Sequence, residues 1–172
     1  MLFRSTRAAN PGIVIEVLVP DFLADEACID IVLAARPEIY NHNLETVRRL
    51  TPTVRHRATY ERSLAVLATA KARQKAKGER QKEGAAFFTK SGLMLGLGET
   101  DAEVLTAMED LRRAECDILT LGQYLQPTLK HLPVVEFVHP DKFAELGERA
   151  EAMGFAHVAS GPMVRSSYHA DR

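Results

Sequence analysis

The stretch Phe87–Leu125, FFTKSGLMLGLGETDAEVLTAMEDLRRAECDILTLGQYL, decides the fold. Phe87–Leu95 is a short apolar run suited to a buried strand, and Ile118–Leu125 is another. Between them Thr100 opens a helix. Glu103 stands three residues on and completes a capping box ahead of Val104, Leu105, Met108 and Leu111 at helical spacing. A strand, a covering helix and a second strand form a crossover unit, which joins parallel strands.

The same alternation extends in both directions. Ile13–Val19 (IVIEVLV) reads as a buried strand that ends at Pro20-Asp21. Asp25–Ala35 is apolar at helical spacing and stops before Pro37. A short strand follows at Ile39–Asn43, and then a long helix from Thr59 to Lys77 carrying Leu64, Val66, Leu67 and Ala70. Pro140 and Gly154 bracket a further helix at the positions that tolerate them best, and Phe155–Ser160 is a last strand. The order β-α-β-α-β-α-β-α-β, without an Asn-Gly or Asp-Gly hairpin, predicts an α/β fold with a parallel sheet. Such a sheet is either doubly wound or part of a (β/α) barrel. Polar residues at the carboxyl ends of the strands lean toward the barrel: Asn41, Asn43 and Glu45, then Glu99, then Gln123 and Gln126, then Ser160.

The chain has 172 residues, 46% hydrophobic and 26% charged, which suits one soluble globular domain over 1–172. Its 22 Lys+Arg against 23 Asp+Glu leave a net charge of −1, no general reason to bind nucleic acid or an anionic membrane. No apolar run is long enough for a membrane span, and MLFRSTRAANPG lacks the apolar core of a signal peptide, so the expected location is cytoplasmic. Cys28 and Cys116 have no metal-ligand spacing, and no disulfide scaffold is expected. Lys71–Glu83 (KARQKAKGERQKE) is basic and interrupted by Gly78. It is expected to end the preceding helix and form a solvated loop over 71–84; Glu79 and Glu83 within it weaken a nucleic-acid reading.

Three segments carry candidate chemistry. Asn41 and Asn43, two apart on a strand, point the same way, and with Glu45 they offer two amides and a carboxylate to ribose hydroxyls, an amino group or a substrate amide. Polar strand-end capping is the plain alternative. Gly96-Leu97-Gly98 follows a strand and opens a helix, but Lys90 precedes the glycines and no third glycine follows, so neither nucleotide fingerprint is complete. A close ligand approach and a simple turn both fit. Arg165-Ser166-Ser167-Tyr168-His169 crowds polar groups near the chain end without a G-x-S-x-G elbow or an orienting acid. His56, His131, His139 and His157 stand singly and read as structural or exposed.

Four motifs in order, NHNLET (Asn41–Thr46), TKSGLMLGLGET (Thr89–Thr100), LGQYLQPTLKHLPV (Leu121–Val134) and VRSSYHA (Val164–Ala170), resemble lipoyl synthase. The resemblance covers nearly the whole chain apart from the basic stretch. It implies a radical S-adenosylmethionine enzyme on a (β/α)6 partial barrel, which inserts two sulfur atoms into protein-bound octanoyl groups. It implies two [4Fe-4S] clusters, one reducing S-adenosylmethionine to a 5′-deoxyadenosyl radical and the other consumed as the sulfur source. The implied partners are octanoylated lipoyl carrier domains (2-oxoacid dehydrogenase subunits and the glycine cleavage H protein) and an iron–sulfur donor. By the same resemblance Asn41, Asn43, Glu45, Ser91 and Arg165 face the cofactor. A serine of the 164–172 tail, Ser167 with Ser166 second, is the fourth ligand of the sacrificial cluster.

The chain departs from that family at the cluster cysteines. Neither the C-x4-C-x5-C nor the C-x3-C-x2-C motif is present, and thiolates are what hold such clusters. The sequence therefore reads as a C-terminal part, expected to be inactive alone, with the tail near where the family ends. Two alternatives remain: a biotin-synthase relative, which RSSY and QYLQPT oppose, and a cofactor-free protein that binds the carrier domain.

Overall fold

The computed structural model describes residues 2–78 and 86–167. Its elements are α1 (Leu2–Ala9), β1 (Glu16–Leu18), α2 (Glu26–Ala34), β2 (Ile39–Asn41), α3 (Thr51–Val54), α4 (Tyr60–Gly78), β3 (Phe88–Leu95), α5 (Asp101–Arg113), β4 (Ile118–Gln123), α6 (Pro140–Ala152) and β5 (His157–Ser160). The five strands pair in parallel, in sequence order β1-β2-β3-β4-β5.

That order separates the two sheet types. Val17 pairs with Tyr40, Tyr40 with Thr89, and Leu93 with Leu121, so these residues share one face. Val17 and Tyr40 pack there with Ile29, Leu33, Val66 and Ala70 of α2 and α4. Leu93 and Leu121 pack with Met108, Leu111, Phe143 and Leu146 of α5 and α6. All four crossover helices thus cover one face. A doubly wound sheet places helices on both faces and reverses its strand order at a switch point; an unreversed order with helices on one side is a segment of a (β/α) barrel. The other face, with Leu18, Asn41, Lys90, Gly92, Thr120 and Gly122, faces inward.

Local signals place the ends. Asp25 caps α2 by accepting from Ala27 N, and Thr100 and Glu103 form the full capping box of α5. Several boundaries differ from the sequence reading. β1 is three residues long, and Ile13 and Val14 lie outside it, exposed. β2 ends at Asn41 instead of Asn43, and β4 at Gln123 instead of Leu125. Lys71–Gly78 is the end of α4 rather than loop, since Lys, Ala, Arg and Gln are good helix formers and Lys71 is tied to Asp117 at 2.5 Å. Residues 79–85, the rest of the expected basic loop, lie outside the described residues.

Candidate functional site

The carboxyl ends of β2, β3 and β4 open on a cavity of about 330 Å3, lined among others by Asn43, Glu45, Gly92, Thr120, Arg165 and Ser166. Gly92 makes the room. A Cβ there would stand 2.6 Å from Thr120 Oγ1 and 3.2 Å from Asn43 Oδ1. Asn43 Oδ1 is buried without a hydrogen-bond partner. A buried acceptor left unpaired costs about 1–3 kcal/mol, so this oxygen, on a residue that lines the cavity, suits a ligand donor.

The chain leaves β2 after Asn41 and rejoins β3 at Glu45. Glu45 N donates to Gly92 O at 2.9 Å, and Met94 N donates to Glu45 O at 2.8 Å. Glu45 reaches this position only with a left-handed backbone, φ 69°, which is uncommon outside glycine and costs energy. Burial pushes its carboxyl above the usual range, opposed by a hydrogen bond from the Asn43 side chain and by the charge of Arg55. Asn43 and Glu45 therefore act as a pair. They present an amide oxygen and a carboxylate to a ligand with cationic or hydroxyl groups.

Asn41 lies one layer deeper. Its amide donates to Glu16 Oε1 at 2.7 Å, and Glu16 Oε2 is paired with Lys90 Nζ at 2.8 Å. Asn41 Oδ1 also lacks a partner. This buried ion pair forms a polar floor beneath the cavity. Ser91 faces the other way: it is fully buried, and its hydroxyl accepts from Leu44 N at 3.0 Å, so it braces the Asn41–Glu45 segment from behind. The side chain sits on the helix-covered face because the pleat alternates, a parity the motif alone did not reveal.

The tail arrives over β4. Gln123 N donates to Pro162 O at 3.4 Å, and a Cβ on Gly122 would collide with the carbonyl oxygen of Val164. Arg165 turns back on its own segment, donating to Val164 O at 2.8 Å, and Ser166 lines the cavity while Ser167 is exposed. Tyr168 and His169 lie outside the described residues. The Gly96-Leu97-Gly98 turn is a plain turn. Glu99 accepts from Gly96 N at 2.5 Å and Leu97 N at 2.9 Å, so both amides are already used.

The cysteines stay apart from all of this. Cys28 is half-buried on α2, and Cys116 is fully buried with its thiol pushed up to about 12, chiefly by desolvation. Among the described residues no group of three or more His, Cys, Asp or Glu could hold a metal ion. By themselves the described residues do not supply the thiolate set of an iron–sulfur cluster. Arg55, which donates to Asn43 O at 3.0 Å and Leu44 O at 3.3 Å, escaped the sequence reading. So did His42 and Ser63. No local spacing marks them, because they meet across three elements.

Over 166 residues, 96% of this chain, the sequence is 58% identical to Lipoyl synthase 2 of Gloeobacter violaceus. Over 168 residues it is 54% identical to the lipoyl synthase of Shouchella clausii and 55% identical to that of Geobacillus kaustophilus, in each case across 98% of the chain. The chain is a homologue of the lipoyl synthases. It spans about half the length of these relatives, covering 54%, 51% and 53% of them. No protein-family model matches it. Among solved structures, the radical S-adenosylmethionine methyltransferase TsrM of Kitasatospora setae, with cobalamin and a [4Fe-4S] cluster bound, aligns with 70% of this chain and 23% of its own. The TM-score is 0.48 and the identity 15%. Among the described residues of this lipoyl synthase homologue, no helix is long and apolar enough to cross a membrane.

Proposed function

We propose that this chain is the portion of a lipoyl synthase that seats S-adenosylmethionine and closes one side of the octanoyl-binding barrel. The observation that carries the reading is the pairing, on the lining of one cavity, of an unpartnered Asn43 oxygen with the Glu45 carboxylate, in a chain 58% identical to a lipoyl synthase over 166 residues. S-adenosylmethionine fits that acceptor set: it carries an ammonium and ribose hydroxyls, which donate, and a sulfonium charge, which an anion favours. Bound beside a reduced cluster, it would supply the radical chemistry for sulfur insertion. This chain's part is to orient it. Glu45 accepts from a hydroxyl or the ammonium, Asn43 Oδ1 accepts a second donor, and Gly92 leaves space for the ligand against the sheet.

In this reading the cluster thiolates would come from residues outside this sequence, and Ser167, with Ser166 second, would contribute the remaining ligand of the sulfur-donating cluster. The substrates are octanoylated carrier domains, an iron–sulfur donor supplies the clusters, and the enzyme works in the cytoplasm. The chain alone makes no lipoyl product.

Glu45→Ala in a full-length enzyme tests the seat. Loss of a charge-assisted hydrogen bond costs about 1.5–3 kcal/mol, or roughly tenfold or more in S-adenosylmethionine affinity. An unchanged dissociation constant removes Glu45 from the site. Ser167→Ala should lower sulfur insertion while reductive cleavage of S-adenosylmethionine persists; normal lipoyl yield with an unaltered cluster spectrum would transfer the role to Ser166.

A further inference from the structure

On the helix-covered side of the Asn41–Glu45 segment, three polar side chains from three elements join in a line. Arg55, just past α3, donates from Nη1 to Ser63 Oγ on α4 at 2.9 Å. Ser63 Oγ lies 3.0 Å from His42 Nε2, and His42 Nδ1 lies 2.9 Å from Val19 O, just past β1. Ser63 and His42 are 0% and 1% exposed. We propose that Arg55, Ser63 and His42 form a directed hydrogen-bond relay that positions Asn43 and Glu45 for a ligand. The ligand half of this statement rests on the proposed function; the relay itself does not.

The direction of the relay follows from what each group can do. A carbonyl only accepts, so Val19 O fixes the proton of His42 on Nδ1. A guanidinium only donates, so Ser63 Oγ accepts from Arg55 and its single proton is free for Nε2. The chain therefore runs guanidinium to hydroxyl to imidazole to carbonyl, with a neutral imidazole. Burial disfavours the imidazolium, and the nearby Arg55 charge adds to this; the bond to Val19 and the charge of Asp21 oppose it. Asp21 is in turn paired with Arg62 at 3.1 Å. No other charged group is resolved as acting on His42.

Arg55 is also tied to the loop backbone. The same Nη1 reaches Asn43 O and Leu44 O, immediately before the strained Glu45. A residue held at positive φ persists only where its surroundings over-determine it. Here β3 grips Glu45 from one side and Arg55 holds its two predecessors from the other. The charge of Arg55 draws the Glu45 carboxyl down against its burial, while Glu45 and Asp21 act on Arg55 as anions and Arg62 as a cation. Arg55 is not among the residues that line the cavity and acts on Asn43 and Leu44 through their backbone, so it is a positioning residue.

The test is a pH titration of the Glu45 carboxyl carbon and of the His42 ring nitrogens by NMR in the labelled 172-residue chain. The wild type should show His42 protonated on Nδ1 and uncharged at about pH 7 and above, with a midpoint below the ordinary 6.5. An opposing charge favours the ionised carboxyl, so Arg55→Gln should raise the Glu45 midpoint measurably. Arg55→Lys should bring it back toward the wild-type value. A purely structural Arg55 would lower the melting temperature and leave the Glu45 midpoint unmoved, which overturns the proposal, as does a His42 proton on Nε2. If Arg55→Gln does not fold, Ser63→Ala decides: with its donor gone, His42 Nε2 should become easier to protonate, and an unmoved His42 midpoint overturns the relay. A parallel S-adenosylmethionine titration of the wild-type chain keeps the two ideas separate. Absence of uptake there counts against the proposed function, while the Glu45 and His42 midpoints still decide the relay.

Discussion

Replacing Gly122 with alanine puts a methyl group where the tail crosses β4. Its Cβ would overlap the Val164 carbonyl oxygen and stand 3.2 Å from the carbonyl carbon, inside the 3.4 Å where ordinary contact begins. The obstacle is backbone, so no rotamer change relieves it. The tail must lift or β4 must bend. Lifting the tail gives up the burial of Val164, 8% exposed, worth about 1.5–3 kcal/mol. It also gives up the long Gln123–Pro162 hydrogen bond, worth about 0.5–1.5 kcal/mol. These two together cap the cost, because beyond them the tail simply leaves; overpacking of this kind typically costs about 1–3 kcal/mol. At about 2–4 °C per kcal/mol for a chain this size, Gly122→Ala should lower the melting temperature by several degrees. It should also free Arg165 for trypsin, so limited proteolysis reads the tail directly. A variant with wild-type melting and an equally protected Arg165 would refute the idea that Gly122 seats the tail.

Three further outcomes follow from the same geometry. His42 is held below its ordinary 6.5, so between the folded and unfolded values the unfolded chain binds more protons. Stability should therefore fall as pH drops below about 6.5, a slope that denaturant melts should show in the wild type and lose in His42→Asn. With its thiol raised to about 12 and fully buried, Cys116 should resist thiol reagents until the chain unfolds, whereas half-buried Cys28 reacts in the native state; mass spectrometry after brief alkylation distinguishes them. Glu16→Gln strands the buried Lys90 ammonium and should cost about 3–5 kcal/mol by chemical denaturation, while Glu16→Leu with Lys90→Met should cost much less.

Periodicity and caps carried most of the fold. The capping box at Thr100 and Glu103, the Pro140 helix start and the buried runs at β3 and β4 are local features, and each element stands within a few residues of where its pattern ends. Whether the sheet was doubly wound or a barrel segment was not local. It depended on which strands neighbour one another and on which face every helix covers. Asn43 and Glu45 were legible because a short polar motif follows a strand. Their geometry was not, because it depends on a left-handed Glu45 that no propensity favours. Ser91 went to the back of the loop, since a break after Asn41 does not change the pleat of β3. The short α3 and the 3-10 turn at Phe22–Ala24 span too few residues to show an apolar period, and α1 is held by tertiary ties such as Arg7 with Glu38 at 2.9 Å.

A chimera tests the central claim most directly. In it, this chain replaces the matching segment of the Gloeobacter violaceus lipoyl synthase 2, whose remaining part would supply the cluster thiolates. The account predicts that the purified, reconstituted chimera converts an octanoylated carrier domain to the lipoyl form, and that Glu45→Ala within it weakens S-adenosylmethionine binding about tenfold or more. A chimera that folds, carries iron and sulfide like its parent and binds S-adenosylmethionine equally well with or without Glu45 would contradict it.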